Sequence, residues 1–117
     1  MSKHQGGCHC GRIAFEFEGG PITEGLECNC SICTQKGSLL HFLPASGFTL
    51  KTPRADISTY KFNKHVIAHH FCVTCGTAPF AEADAPDGTP MVAINLRAVG
   101  GIDLTAIKRN FYNGRDI

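Results

Sequence analysis

The chain has 117 residues, a length that fits one domain spanning residues 1–117 with a modest hydrophobic core. Its formal net charge is +1 with the histidines neutral, so composition alone gives no strong attraction to nucleic acid or to an anionic membrane. No apolar stretch approaches the roughly 18 residues of a membrane span, and the first residues contain no apolar signal segment. We therefore expect a cytoplasmic protein whose thiols stay reduced.

Short runs of alternating or apolar residues, separated by glycine- and proline-containing turns, predict strands along most of the chain. The first is the segment in which Ile13, Phe15 and Phe17 alternate with more polar neighbours, the pattern of a half-buried strand. Further strands are predicted at residues 39–43, 48–50, 58–62, 66–71, 78–81 and 91–96, and one or two helical turns at residues 102–109. The sequence thus predicts a mainly β fold of antiparallel sheets with little helix, and with the cysteine loops at one end of the sheets.

Seven cysteines fall into three groups, at positions 8 and 10, at positions 28, 30 and 33, and at positions 72 and 75. Cys72 and Cys75, followed by Gly76, have the Cys-x-x-Cys-Gly spacing of a zinc knuckle, in which two sulfurs bind one ion. A knuckle needs a second pair of ligands, and Cys8 and Cys10 are the natural partner because a glycine follows them too. The sequence therefore predicts a closed structural zinc site with four cysteine ligands.

The remaining cysteines, Cys28, Cys30 and Cys33, lie within six residues of the chain and can face one ion. Tetrahedral zinc takes four ligands, and a catalytic site leaves the fourth position for water or substrate. A substrate thiol bound there would be held as a thiolate, which is a nucleophile at neutral pH. We therefore predict a second zinc and the reactive centre at this group. A protein side chain could instead close the site, the possibilities being His9, His41, His69, His70 and Asp84.

Other chemistries fit the cysteines less well. A redox Cys-x-x-Cys pair needs a βαβ context, which the predicted strands do not provide. The spacings also differ from the common ferredoxin patterns of iron–sulfur proteins. A disulfide framework is disfavoured by the odd number of cysteines and by a reducing compartment.

Three motifs follow one another along the chain: Gly-Cys-His-Cys-Gly at residues 7–11, Cys-Asn-Cys-Ser-Ile-Cys at residues 28–33, and Phe-Cys-Val-Thr-Cys-Gly-Thr at residues 71–77. Together they resemble the glutathione-dependent formaldehyde-activating enzyme family, which includes the centromere protein V domain, and the resemblance extends to the segment at residues 94–104. It implies a β-tent fold, a structural zinc on the four-cysteine set and a second zinc on the three-cysteine set. It also implies addition of glutathione to formaldehyde or, more broadly, formation or cleavage of a carbon–sulfur bond.

We therefore predict a zinc-dependent enzyme, similar to a carbon–sulfur lyase, that adds a thiol such as glutathione to a small aldehyde such as formaldehyde, or removes it. The three cysteines of the open site would act as ligands of the catalytic zinc. Lys36, three residues after Cys33, is the leading partner for the carboxylates of the thiol. Asn29 and Ser31 lie inside the cysteine loop, where short polar side chains either cap the loop or bind substrate. Weaker positive candidates are Arg97 and Arg109.

An alternative function is a non-catalytic zinc-binding module that binds a protein or a thiol metabolite, since the chain is small and shows no evident general acid or base. His69 and His70 are adjacent, and on a strand at most one of them can face the cysteines. A nucleic-acid-binding zinc ribbon would depend on a small basic and aromatic patch formed by Tyr60, Lys61, Phe62, Lys64 and His65. We expect thiol and aldehyde partners, and neither nucleic acid nor a membrane.

Overall fold

A computed structural model of the chain describes residues 2–61 and 67–113. In that part of the chain the backbone forms ten strands, one α-helix and three short 3-10 turns. The strands are β1 (Ser2–Gly7), β2 (Ala14–Gly19), β3 (Glu24–Cys28), β4 (Leu40–Pro44), β5 (Phe48–Leu50), β6 (Ser58–Tyr60), β7 (Ala68–Phe71), β8 (Phe80–Asp84), β9 (Pro90–Asn95) and β10 (Lys108–Tyr112). The helix α1 covers Ser31–Lys36, and the 3-10 turns cover Ala45–Gly47, Arg54–Asp56 and Leu96–Ala98. No helix in the described residues is long and apolar enough to cross a membrane.

The strands form two sheets with mainly antiparallel pairing. The smaller sheet has the strand order β1-β2-β5, and the larger sheet has the order β10-β3-β4-β9-β8-β7-β6. The pairing of β10 with β3 is parallel, whereas the other pairings between the described strands are antiparallel. The mainly β, antiparallel fold with little helix is therefore confirmed.

The hydrophobic core lies between one face of the smaller sheet and one face of the larger sheet. Phe15 and Phe17 of β2, and Ile13 directly before that strand, are at most 1% exposed, so the alternation in the sequence marks a buried face. The Phe15 ring contacts the Phe80 ring of the larger sheet, with centroids 5.8 Å apart. Burial of each large apolar side chain stabilises the fold by about 1.5–3 kcal/mol, so this interface holds the two sheets together.

The opposite face of the larger sheet is also apolar. In β9, Val92 and Ile94 are fully buried in the core, whereas the alternate residues Met91 and Ala93 line the other side. Phe42 of β4 points to that other side as well and is 50% exposed. This second face forms the floor of the cleft described below.

The cysteine loops lie at one end of the strands, as predicted. β3 ends at Cys28 and β7 ends at Phe71, and the antiparallel register of the larger sheet places these two ends at the same edge. β1 ends at Gly7, directly before the first cysteine. Side chains that are far apart in the sequence therefore meet at this end of the fold.

The prediction for residues 102–109 is wrong. A turn at residues 104–106 is followed by strand β10, which starts at Lys108. The strand forms because it pairs with β3, where Lys108 lies opposite Glu24 and Asn110 lies opposite Leu26. Such long-range pairing is not visible in local propensity.

Three further elements have no counterpart in the sequence-based prediction, namely β1, β3 and α1. β1 and β3 contain glycine and charged residues rather than an alternating apolar pattern, and they are ordered by pairing with β2 and β4. Residues 62 and 66 of the predicted strands, and Phe62, Lys64 and His65 of the basic patch, lie outside the described residues.

Candidate functional site

The four cysteines predicted to form a closed site meet between two loops. Cys8 and Cys10 follow β1, and Cys72 and Cys75 follow β7. The sulfur of Cys10 is 3.6 Å from the sulfurs of both Cys8 and Cys72, and all four sulfurs lie within 4.8 Å of one another. Sulfurs bound to tetrahedral zinc at about 2.3 Å are separated by about 3.8 Å. The four thiols, which are not joined as disulfides, could therefore hold one metal ion, and their spacing fits zinc.

Both loops have the backbone of a zinc knuckle. Gly11 and Gly76, which directly follow the cysteine pairs, have φ values of 86° and 80°. Glycine adopts this left-handed conformation without the steric cost that a side chain would add. In the first loop the tight turn lets the Ile13 amide donate a hydrogen bond to the sulfur of Cys8 at 3.1 Å. The loops thus present amide hydrogens to sulfur as well as bringing the sulfurs together.

Hydrogen bonds in the second loop favour the thiolate form that zinc binds. The side chain and then the backbone of Thr77 lower the pKa of the Cys75 thiol to about 5. The Thr74 amide donates to the sulfur of Cys72 at 3.4 Å. The local backbone therefore prepares these sulfurs for a metal cation.

The second group of thiols forms where β3 passes into α1. Cys28 is the last residue of β3, Cys30 caps the N-terminus of α1, and Cys33 lies in the first helical turn. The helix ends at Gly37, whose φ of 65° is the left-handed conformation common at helix C-termini. The three sulfurs lie within 4.8 Å of one another and are half-buried. A strand end and a single helical turn are thus enough to bring the group together.

Ionisation of one thiol in this group affects the others. Burial alone would raise the pKa of Cys30, but hydrogen bonds from the Cys33 thiol and from the backbone amides of Cys33 and Ile32 outweigh burial and lower it. Burial and the neighbouring sulfurs raise the pKa of Cys33. Neighbouring thiolates repel one another, and a divalent cation would offset this repulsion and hold all three sulfurs as thiolates. The donor set therefore fits zinc.

No fourth histidine, cysteine or carboxylate joins the second group among residues 2–61 and 67–113. His41 contacts the core ring of Phe17, and His70 forms hydrogen bonds on the core side of the larger sheet. His9 is exposed, and His69 and Asp84 line the same cleft as the three cysteines without joining them. As far as the structure describes the chain, this group has three ligands.

A cleft of about 880 Å³ opens beside the three cysteines. Its floor is the second face of the larger sheet, where Ala81, Ala83 and Ala93 leave space because their side chains are small. The larger apolar side chains that line it are Leu26, Ile32, Leu40, Phe42, Ile67, Met91 and Tyr112. This volume is in the range of small-molecule pockets, roughly 300–1,000 Å³.

Few polar groups interrupt the apolar surface of the cleft. Lys36 is half-buried, and burial lowers the pKa of its ammonium group while the nearby thiols oppose that change. Burial, and next the charge of Lys36, lowers the pKa of His69 to about 4, so its ring is uncharged at neutral pH. Ser38 is buried, and its hydroxyl has no hydrogen-bond partner in the part of the chain that is described. A buried hydroxyl without a partner costs about 1–3 kcal/mol, which a ligand would recover.

Of the side chains predicted to bind substrate, Lys36 and Ser31 line the cleft. Asn29 is not part of the lining. Its side chain donates a hydrogen bond to the side-chain oxygen of Asn113 at 2.8 Å, and its backbone amide donates to the carbonyl of Tyr112 at 3.2 Å. Asn29 therefore ties the cysteine loop to the end of β10.

The two arginines considered as weaker partners make other contacts. Arg97 donates to the carbonyl of Gly37 at 3.0 Å, and Arg109 pairs with Glu27 at 3.6 Å.

The sequence-based prediction does not include the apolar floor of the cleft. The sequence does contain a signal for this floor, because the strand at residues 91–96 is apolar on both faces, as in sheets that are covered on both sides.

Comparison with known proteins supports the fold and identifies the family. The family model described as glutathione-dependent formaldehyde-activating enzyme matches residues 3–111. A structural-genomics crystal structure of a Rhodobacter sphaeroides protein superposes with a TM-score of 0.76 at 21% sequence identity, over 91% of this chain and 99% of that chain. At this identity the superposition supports the fold alone. Because the family match covers nearly the whole chain, the protein belongs to the glutathione-dependent formaldehyde-activating enzyme family.

Proposed function

We propose that the protein is a zinc-dependent enzyme that adds a thiol to an aldehyde and, in reverse, releases the aldehyde, which is the chemistry of a carbon–sulfur lyase. Family membership supports an enzyme that acts on glutathione and formaldehyde. The observation that carries the proposal is the group of three thiols, without a fourth ligand among the described residues, at the wall of a small-molecule cleft.

The proposal assigns different tasks to the two cysteine groups. The four-cysteine group would hold a structural zinc through Cys8, Cys10, Cys72 and Cys75. The three-cysteine group would hold the second zinc through Cys28, Cys30 and Cys33. When bound to three thiolates, zinc offers a fourth position to a substrate thiol and lowers the pKa of that thiol. The first group would therefore stabilise the fold, and the second would serve the reaction.

The reaction needs no oxidant or reductant. The sulfur of the thiol forms a bond to the aldehyde carbon, and the π electrons of the carbonyl group move to oxygen. The proton lost by the thiol ends on that oxygen, so the product is a hydroxyalkyl thioether. In the reverse direction the carbon–sulfur bond breaks, and the same proton returns to sulfur.

The chain's own residues would position the two reactants. The ammonium group of Lys36 is half-buried beside the three cysteine thiols. There it can attract a carboxylate of the substrate thiol, or the aldehyde oxygen that gains negative charge during the reaction. Ser31 lies on the same helix and adds an exposed hydroxyl to the lining of the cleft. The lining of the cleft is mostly apolar, and a less polar surrounding strengthens the attraction between charged groups.

The test is NMR exchange spectroscopy on a mixture of formaldehyde, glutathione and their adduct. Zinc-loaded protein is expected to accelerate exchange, and the Cys33→Ser variant is expected to lose most of this acceleration because one of three ligands is removed. An equal concentration of free zinc is the control, and the zinc content of each protein is measured by native mass spectrometry. Exchange that is no faster with protein than with free zinc would refute the proposal. Thiol-dependent shifts at residues 28–33 without faster exchange would favour the non-catalytic module instead.

A further inference from the structure

The cleft is larger and more apolar than formaldehyde requires. Formaldehyde is a single carbonyl group, whereas a cleft of about 880 Å³ can enclose a ligand of many atoms. Phe42 and Ile67, which stand at its sides, are 50% and 45% exposed. Large apolar side chains grouped around a concave surface are stabilised when an apolar ligand covers them.

The register of the larger sheet gives the floor the shape of a trough. Phe42 of β4 lies opposite Ala93 of β9, Ala93 lies opposite Ala81 of β8, and Ala81 lies opposite His69 of β7. Two alanines thus separate Phe42 from His69 across four strands, and a spacing of about 4.8 Å between neighbouring strands puts these two backbones about 14 Å apart. The alanine floor between these two larger side chains leaves room for a chain of methylene groups.

The charged groups give the trough two different ends. Lys36 and Ser38 lie near the three cysteines, where β8 begins. Asp84 lies at the other end of β8, and the carboxylate of Glu82, which also belongs to the lining, is bound by Arg54 and His70. Among the described lining residues, Lys36 is the one with a positive charge at neutral pH. Glutathione has two carboxylates, which the carboxylate of Asp84 would repel, so the far end of the trough is unsuitable for it. A ligand with a polar head at the cysteines and an uncharged chain beyond matches this distribution.

We infer that the aldehyde partner of this protein carries an apolar chain of several carbons, which binds in the alanine trough while the carbonyl group faces the three cysteines. The inference rests on the proposed function and specifies the substrate class. An aldehyde with such a chain is preferred over formaldehyde, and the thiol approaches from the mouth of the cleft at Lys36.

The binding step is tested with primary alcohols from ethanol to 1-octanol, which carry the chain and an oxygen but cannot react with a thiol. Zinc-loaded protein is titrated with each alcohol while the alanine methyl signals are followed by NMR. Affinity is expected to rise about threefold with each added methylene, short of the fourfold that full burial gives. The Ala93→Phe variant fills the trough and is expected to remove this dependence on chain length. Ala55→Phe, at an exposed position outside the cleft, is the matched control and is expected to keep it.

The reaction step is tested by NMR exchange with octanal and with formaldehyde, each with glutathione. A preference for octanal that falls in Ala93→Phe but not in Ala55→Phe supports the inference. Should Ala93→Phe fail to fold, Ala83→Leu repeats the comparison with a smaller side chain. An affinity for the alcohols that does not depend on their chain length would overturn the inference. The inference would also be overturned if two copies of the protein associated through the trough and kept the alcohols out of it. Chain-length-dependent binding without exchange of either aldehyde would refute the proposed function and still support an apolar ligand for the trough.

Discussion

Replacing Cys10 by serine is expected to destabilise the fold much more than the same replacement at Cys33. Cys10 is exposed, so the change removes a ligand without disturbing the core. The four-cysteine group joins Cys10 to Cys72, which is 62 positions away, and links the smaller sheet to the larger sheet. If the metal link is treated like a disulfide cross-link, the chain-entropy relation makes closing a loop of that length worth about 4 kcal/mol, against about 2 kcal/mol for the short loop at residues 28–33. In a domain of this size, a loss of 4 kcal/mol lowers Tm by roughly 15 °C.

The assay is urea unfolding followed by circular dichroism, with zinc per chain measured by native mass spectrometry. Both variants are expected to lose one zinc, but Cys10→Ser is expected to lose about twice as much unfolding free energy as Cys33→Ser. His9→Ser changes an exposed neighbour in the same loop and is expected to behave like the unchanged protein. Equal destabilisation by the two cysteine variants, or two zinc ions retained in Cys10→Ser, would refute the division into a structural group and a reactive group.

Three further predictions concern polar groups. Lys36→Met is expected to raise the KM for glutathione about tenfold, because a charge-assisted hydrogen bond is worth roughly 1.5–3 kcal/mol. Lys51→Met, at an exposed lysine, is the control. An unchanged KM in Lys36→Met would argue against carboxylate binding by Lys36. The hydrogen bond from Arg54 holds the pKa of Glu82 below its usual 4.5, so the carboxylate stabilises the fold above that pH and the contribution disappears as pH falls through the folded-state pKa. Glu82→Gln is therefore expected to lower the unfolding free energy at pH 7 but little at pH 3, and equal losses in urea titrations at the two pH values would contradict this. The His69 ring is expected to titrate near pH 4 in NMR spectra, whereas titration near 6.5 would show that water solvates it.

The cysteine groups could be predicted from the sequence because their geometry is mostly local. Cys72, Cys75 and Gly76 form one turn, so their spacing alone indicates that two sulfurs face one point. The group at residues 28–33 is likewise contained in one strand end and one helical turn. The pairing of the two knuckles follows from ligand number, since zinc takes four ligands and each knuckle supplies two. The strand with Ile13, Phe15 and Phe17 was equally predictable, because its period of two is a local property of the chain.

The tertiary structure alone decided how many ligands the second group has and what it faces. The histidines and the aspartate considered as a fourth ligand lie in strands or loops, and the sequence does not tell which face of the sheet each side chain points to. Only packing determines that His69 lines the cleft while His70 faces the core. Strand β10 likewise forms through its pairing with β3, which no local pattern in residues 108–112 indicates.

The sequence by itself determined the donor atoms and their grouping into four and three thiols, because each turn brings together cysteines that are close along the chain and the ligand number of zinc pairs the two distant turns. The apolar trough was decided by the tertiary structure, because its floor depends on the register that aligns Phe42, Ala93 and Ala81 across three strands. Register is set by the summed burial of the core and by strand pairing over long sequence separations. The cysteines therefore indicate the chemistry, whereas the folded sheet determines which molecule can reach them.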